Sequence, residues 1–248
     1  MEEDMNDDMN APMQPKPAGL SAWISTWITA VTRRSEQTYA AMAEHPDAAT
    51  VNRAFLWVFL AGTISAAISG ILQALLGLAG FSTQTPGLSD LFGNAQRGIV
   101  FSLGISVCLS PVAGGLGVLF FAIGVGIVQW IASMFHGTGS FSKLAYTTAA
   151  ISVPFTFVSS VLTPFSGVPV LGICVGLVGL ALGFYAIALQ VTAVKGVNQL
   201  GWGQALTAFF LPTLIFACCL VVPGVIAVMR LLGPKIGDTF SSINSSLP

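Results

Sequence analysis

From Ala54 to Met229 only four residues, Asp90, Arg97, Lys143 and Lys195, carry a formal charge. A fold bathed in water cannot cover its surface with so few, because soluble domains devote roughly 25% of their residues to charge. Here charged residues make up 8% of the chain and hydrophobic ones 54%. A chain solvated by lipid needs no such cover. The expected fold class is all-α, a polytopic membrane protein, since helices satisfy every backbone hydrogen bond within one segment.

Spanning helices need about twenty mostly apolar residues. Five stretches meet that length, at about 54–79, 112–135, 145–163, 170–194 and 204–229. The apolar run from Ile99 to Phe135 is too long for one upright helix and short for two. Pro111 is expected to divide it, leaving Ile99 to Ser110 as a lead-in to the second span. The membrane domain thus covers 54–230, followed by a polar tail at 231–248.

Before the first span the chain changes character twice. Residues 1–19 are acidic and rich in Met, Asn and Pro, the composition of a disordered tail, and they lack the apolar core of a secretory signal. Residues 20–53 form an amphipathic region. Leu20, Trp23, Ile24, Trp27, Ile28 and Val31 recur at steps of three and four, a helical period. This stripe is too short to span. With two tryptophans on it and Arg33–Arg34 at its end, it suits a helix lying in the headgroup layer; the alternative is a stripe packed on the rest of the protein. A second short helix is expected from Glu36 to Glu44, capped by Ser35 and stopped near Pro46.

With five spans the termini lie on opposite sides. Lys16, Arg33, Arg34, Arg53, Lys143 and Lys195 then share the N-terminal side, against Arg97, Arg230 and Lys235 on the other. The excess predicts a cytoplasmic N-terminus by the positive-inside rule.

Two stripes stand out within the spans. Gly172, Gly176, Gly179, Gly183, Ala186, Gln190 and Ala193 form a seam of small residues with Gln190 on the fourth span. Thr148, Ser152, Thr156, Ser159 and Thr163 line one face of the third, and Gly62, Ala66, Gly70 and Ala74 recur every four residues on the first. Small seams let helices approach closely in lipid. The hydroxyls are expected to face the small residues of the fourth span, bonding across or back to their own carbonyls, and to help satisfy the carbonyl that Pro154 leaves without a donor. The competing readings are a polar path for a solute, lined by the hydroxyls and Gln190, and contact between copies.

Chemistry is scarce. No Asp or Glu occurs between Asp90 and Asp238, so the spans beyond the first loop offer no carboxylate for ion coupling or for an aspartyl protease. There is no HExxH zinc signature, no G-x-S-x-G elbow and no phosphate-binding G-x-x-x-x-G-K-S/T loop. Cys108, Cys174, Cys218 and Cys219 lie in apolar runs without metal-ligand spacing and are expected to be small packing residues. No catalytic, cofactor or metal site is expected, and no basic field suits nucleic acid.

The stretch GTGSFSKLAYTTAAISVP, with Gly139, Phe141, Lys143, Tyr146 and Pro154, resembles a hallmark of the Yip domain family, the Ypt/Rab-interacting membrane proteins and their prokaryotic relatives. FYAIALQVTAVKGVNQLGWGQAL, with Tyr185, Lys195 and Ala205, is similar to the family's second hallmark, and HPDAATVNRAFLWVFLAG resembles the start of the first span in prokaryotic members. The likeness extends over roughly Trp23 to Val228. Asn198 and Gln199 stand where relatives often carry a His after the basic turn. The resemblance implies a five-helix membrane domain in a prokaryotic cell membrane, a cytoplasmic N-terminus and no enzymatic activity. Eukaryotic relatives act in vesicle traffic and bind prenylated GTPases and one another, which implies a membrane-organising adaptor or scaffold here. A small transporter or lipid-handling protein is the alternative.

Phe141, Lys143, Tyr146, Tyr185 and Lys195 are then candidates for a rim that meets a partner or anionic headgroups. Phe141 and Tyr146 would anchor at the interface, and Lys143 with Lys195 would supply charge. Expected partners are membrane lipids and a membrane protein or second copy.

Overall fold

A computed structural model describes residues 19–81, 99–168, 170–215, 217 and 229. All regular structure among them is helical: α1 (Leu20–Thr32), α2 (Glu36–Ala43), α3 (Val51–Leu78), α4 (Ile99–Met134), α5 (Phe141–Leu162), α6 (Leu171–Asn198) and α7 (Trp202–Ile215), with 3₁₀ turns at Pro46–Ala49 and Thr163–Gly167. Four stretches, within α3, α4, α5 with its 3₁₀ turn, and α6, are long and apolar enough to cross a membrane. The expected fifth span at 204–229 begins within α7, and most of the rest of it lies outside the described residues. So do the tails at 1–18 and 230–248.

Pro111 does not divide the second apolar run. α4 is one helix of 36 residues with this proline inside it. Proline removes the donor for the carbonyl four residues back, here Val107. The Ser110 hydroxyl donates to that same carbonyl at 2.8 Å, so no backbone acceptor is stranded and the helix runs on. Pro154 in α5 lacks this repair. Neighbouring Ser152 and Thr156 donate to the carbonyls of Ala149 and Ser152, not to that of Ala150.

α3 and α4 run antiparallel along a seam of small residues. A Cβ on Gly62 would lie 3.1 Å from the Cα of Gly114, and one on Gly70 would lie 2.6 Å from the Cβ of Ser106. At Gly114 a Cβ would fall 2.8 Å from the Phe59 carbonyl and collide with the Thr63 hydroxyl. The first-span stripe thus meets its counterpart on α4, where Ser106, Ser110 and Gly114 also recur every four residues. α5 packs on the same α3, and Ser69 donates to the Ser160 carbonyl at 2.9 Å.

The expected seam on the fourth span is a different matter. A Cβ at Gly176, Gly179 or Gly183 meets nothing within 4 Å, so among the described residues these glycines pack no helix. Only Gly172 is tight, against the Ser166 carbonyl of the preceding turn. α6 touches α5 through its C-terminal half, where Leu189, Val191, Ala193 and Val194 are buried. Of the two arrangements expected for the stripe hydroxyls of α5, Thr156 and Thr163 adopt the bond back to their own helix, to the Ser152 and Ser159 carbonyls four residues back. Cys108 and Cys174, expected to be small packing residues, carry free thiols and are exposed among the described residues, and Cys218 and Cys219 lie outside them.

α1 divides its apolar stripe. Trp23 and Trp27 turn inward, each edge-on to Trp57 of α3 with centroids 6.0 and 5.8 Å apart, and Ala30 is fully buried. Leu20, Ile24 and Ile28 stay on the outside. α2 forms with Ser35 as its cap, the hydroxyl accepting from the Thr38 N–H at 3.1 Å.

Candidate functional site

One end of the bundle collects α1, α2, the starts of α3, α5 and α7, and the ends of α4 and α6. Arg33 and Arg34 in the α1–α2 turn, with Arg53, Lys143 and Lys195 in these segments, all lie at this end. The described residues of the opposite end, 75–81, 99–105 and 163–172, carry no charge.

Two tyrosines lock the α1–α2 unit to this end. The last carbonyls of a helix have no intrahelical donor. In α1, Ala30 O accepts from the Tyr39 hydroxyl and Val31 O from the Tyr185 hydroxyl, both at 2.7 Å. Tyr39 is fully buried. Burial, with a smaller contribution from the neighbouring Tyr185, pushes its pKa from 10.0 up to about 12. α2 then lies across the end of α6 so closely that a Cβ on Gly196 would sit 2.7 Å from the Glu36 carbonyl. A Lys195–Glu36 ion pair fastens the contact, and the Lys195 ammonium rides 4.4 Å from the centre of the Trp202 ring.

A second lock holds the α4–α5 loop. The Gln129 amide donates to the Gly139 carbonyl at 2.7 Å and to Asn198 Oδ1 at 3.0 Å. Asn198 Nδ2 donates to Val194 O, and the Thr138 N–H donates to Asn198 O. Asn198 is only 1% exposed. Glycine is required at 139, because a Cβ there would lie 2.6 Å from Asn198 Oδ1. Gln199 follows in the left-handed conformation and ends α6. Sequence reading passed over Gln129, although it is a lone amide inside the apolar run GIVQWIA.

The five rim candidates therefore have unlike surroundings. Tyr146 is not an interfacial anchor: it is 2% exposed, stacked parallel to His45 and 5.0 Å from Trp57. His45 follows α2 and Trp57 belongs to α3, so the ring of Tyr146 is held inside the bundle. Tyr185 and Lys195 are spent on holding α1 and α2. Phe141 is half-buried with its ring 6.5 Å from Phe55. Lys143 keeps its ammonium free among the described residues, while its N–H meets the Ser140 hydroxyl that caps α5.

Deeper in the bundle the hydroxyl stripe splits. Thr148 and Ser152 share a cavity of about 260 Å³ with Gln190, walled by apolar residues of α4 and by Phe209 and Pro212 of α7. Thr156 and Ser159 lie outside it. A larger open cavity, about 600 Å³, lies at the charged end between the α1–α2 turn and α6.

The Yip1 domain matches this chain over residues 29–223, from within α1 to beyond α7. The chain belongs to the Yip1 domain family. No curated protein and no solved structure matches it. Family and apolar helices together make it a multi-pass integral membrane protein.

Proposed function

We propose that this Yip1 domain protein is a non-enzymatic membrane-organising adaptor, working from the charged end of its bundle at the cytoplasmic face of a prokaryotic cell membrane. The observation that carries this reading is the charge asymmetry. Five basic residues gather at one end and none occupies the described part of the other, the distribution the positive-inside rule assigns to the cytoplasm. Among the rim candidates Lys143 is the residue to test, since its ammonium is uncommitted while Tyr185 and Lys195 serve the fold. Leu20, Ile24 and Ile28 give α1 an exposed apolar edge suited to the leaflet surface.

The test is purification of the chain in native-lipid nanodiscs beside Lys143→Ala. A stoichiometric protein partner that is lost in the variant supports an adaptor. Purification with no protein partner in either form contradicts it.

A transport or lipid-handling role is the second reading, favoured by the cavity where Thr148, Ser152 and Gln190 converge. It requires that Gln190→Leu and Ser152→Leu abolish flux of a solute in proteoliposomes while the protein assembles normally.

A further inference from the structure

We propose that the open cavity between the α1–α2 turn and α6 binds one anionic phospholipid, its phosphate at Arg34 and an acyl chain lying along α6. The cavity has two unlike walls. Arg34, Ser35, Glu36 and Gln37 form the polar side, and Tyr185, Ala188, Leu189 and Thr192 form the other, with Trp202 at the edge. Its volume, about 600 Å³, lies within the range of small-ligand sites.

The polar wall favours an anion. Arg34 is exposed and has no carboxylate partner among the described residues. Guanidinium groups suit phosphate through paired, charge-assisted hydrogen bonds. Ser35 caps α2, and the N–H groups of Glu36 and Gln37 in its first turn have no intrahelical acceptor. The one acid in the cavity lining, Glu36, has its carboxylate paired with the Lys195 ammonium.

The apolar wall selects a lipid over free phosphate. Ala188 continues an outward-facing line with Phe184, Leu180 and Leu177, which are 65%, 60% and 64% exposed. That line leads from the cavity down the membrane-crossing length of α6, where an acyl chain would lie. A tryptophan at the cavity's edge is the residue expected at headgroup depth. The proposal rests on the reading that the charged end faces a leaflet surface, and it does not need the adaptor role.

The test uses the full chain in nanodiscs of phosphatidylcholine with a minor share of phosphatidylglycerol, followed by native mass spectrometry. Wild type is expected to retain one phosphatidylglycerol per chain. Arg34→Ala should lower that retention about tenfold, the loss expected when a charge-assisted hydrogen-bond partner is removed. Arg34→Lys should recover part of it. Ala188→Trp, which fills the apolar side and leaves the arginine in place, should also release the lipid. Arg33→Ala removes the same charge from the same turn at a residue that does not line the cavity, and should change nothing. Equal loss in Arg33→Ala and Arg34→Ala would reduce the effect to general surface charge and overturn the site. Unchanged retention in Arg34→Ala would overturn it too, as would displacement of the lipid by inorganic phosphate. None of these results bears on whether a protein partner depends on Lys143, so failure here and failure of the adaptor reading are separable.

Discussion

Tyr39 is the residue on which the position of α1 and α2 most depends. Its hydroxyl closes a buried carbonyl at the end of α1, and burial holds its pKa near 12. Between pH 10 and about 12 the unfolded chain loses this proton and the folded one keeps it, so stability falls as pH rises through that window. The expected slope is roughly 1.4 kcal/mol per pH unit. Tyr39→Phe should flatten it, a difference read from unfolding midpoints of the two proteins across the window. Ser110 has a comparably specific task. Ser110→Ala strands the Val107 carbonyl and should cost about 1–3 kcal/mol, but much less in a Pro111→Ala background, where the restored backbone N–H takes over. A double-mutant cycle measures the difference. Ser35 as a cap was legible from its position before a helical run. The Ser110 repair was not, because a proline in an apolar run reads as a break unless the hydroxyl beside it is counted.

Among the elements, α3 and α4 carry the tightest contact. Gly114→Leu should destabilise the fold by about 1–3 kcal/mol or prevent assembly, since backbone and the Thr63 hydroxyl occupy the space. Gly179→Leu should leave the unfolding midpoint of the single chain unchanged, because open space surrounds that position among the described residues. Spectroscopic unfolding of the two variants side by side tests both. The four-residue period of Gly62, Ala66 and Gly70 announced a seam on the first span. Its partner on α4 went unread because splitting the run at Pro111 separated Ser106 and Ser110 from Gly114. A longer and more regular glycine period on α6 drew attention away. Period alone tells which residues share a face, not whether another helix covers it. The same limit applies to α1, whose six apolar positions share one broad stripe. Only the structure divides them into Trp23 and Trp27 inside and Leu20, Ile24 and Ile28 outside.

For the whole molecule, composition was enough to give the class, since so few charges leave lipid as the only solvent. The candidate rim was less legible. Aromatic and basic residues at helix ends mark an interface, but they do so equally when they fasten one helix to another. Tyr146, Tyr185 and Lys195 are used that way, and Arg34, which lines the cavity of about 600 Å³ at the charged end, read only as part of a basic helix end. The adaptor reading requires the charged end to face the cytoplasm. The direct measurement is labelling by a membrane-impermeant maleimide in intact cells, after Cys108, Cys174, Cys218 and Cys219 are replaced. Cysteines would be introduced singly at Lys143 and at Ser166, which belong to opposite ends of α5 and its terminal turn. The expected result is labelling of the Ser166 position in intact cells, and of the Lys143 position only after permeabilisation. Labelling of Lys143→Cys from outside would contradict the orientation, and with it the function proposed for this end of the bundle.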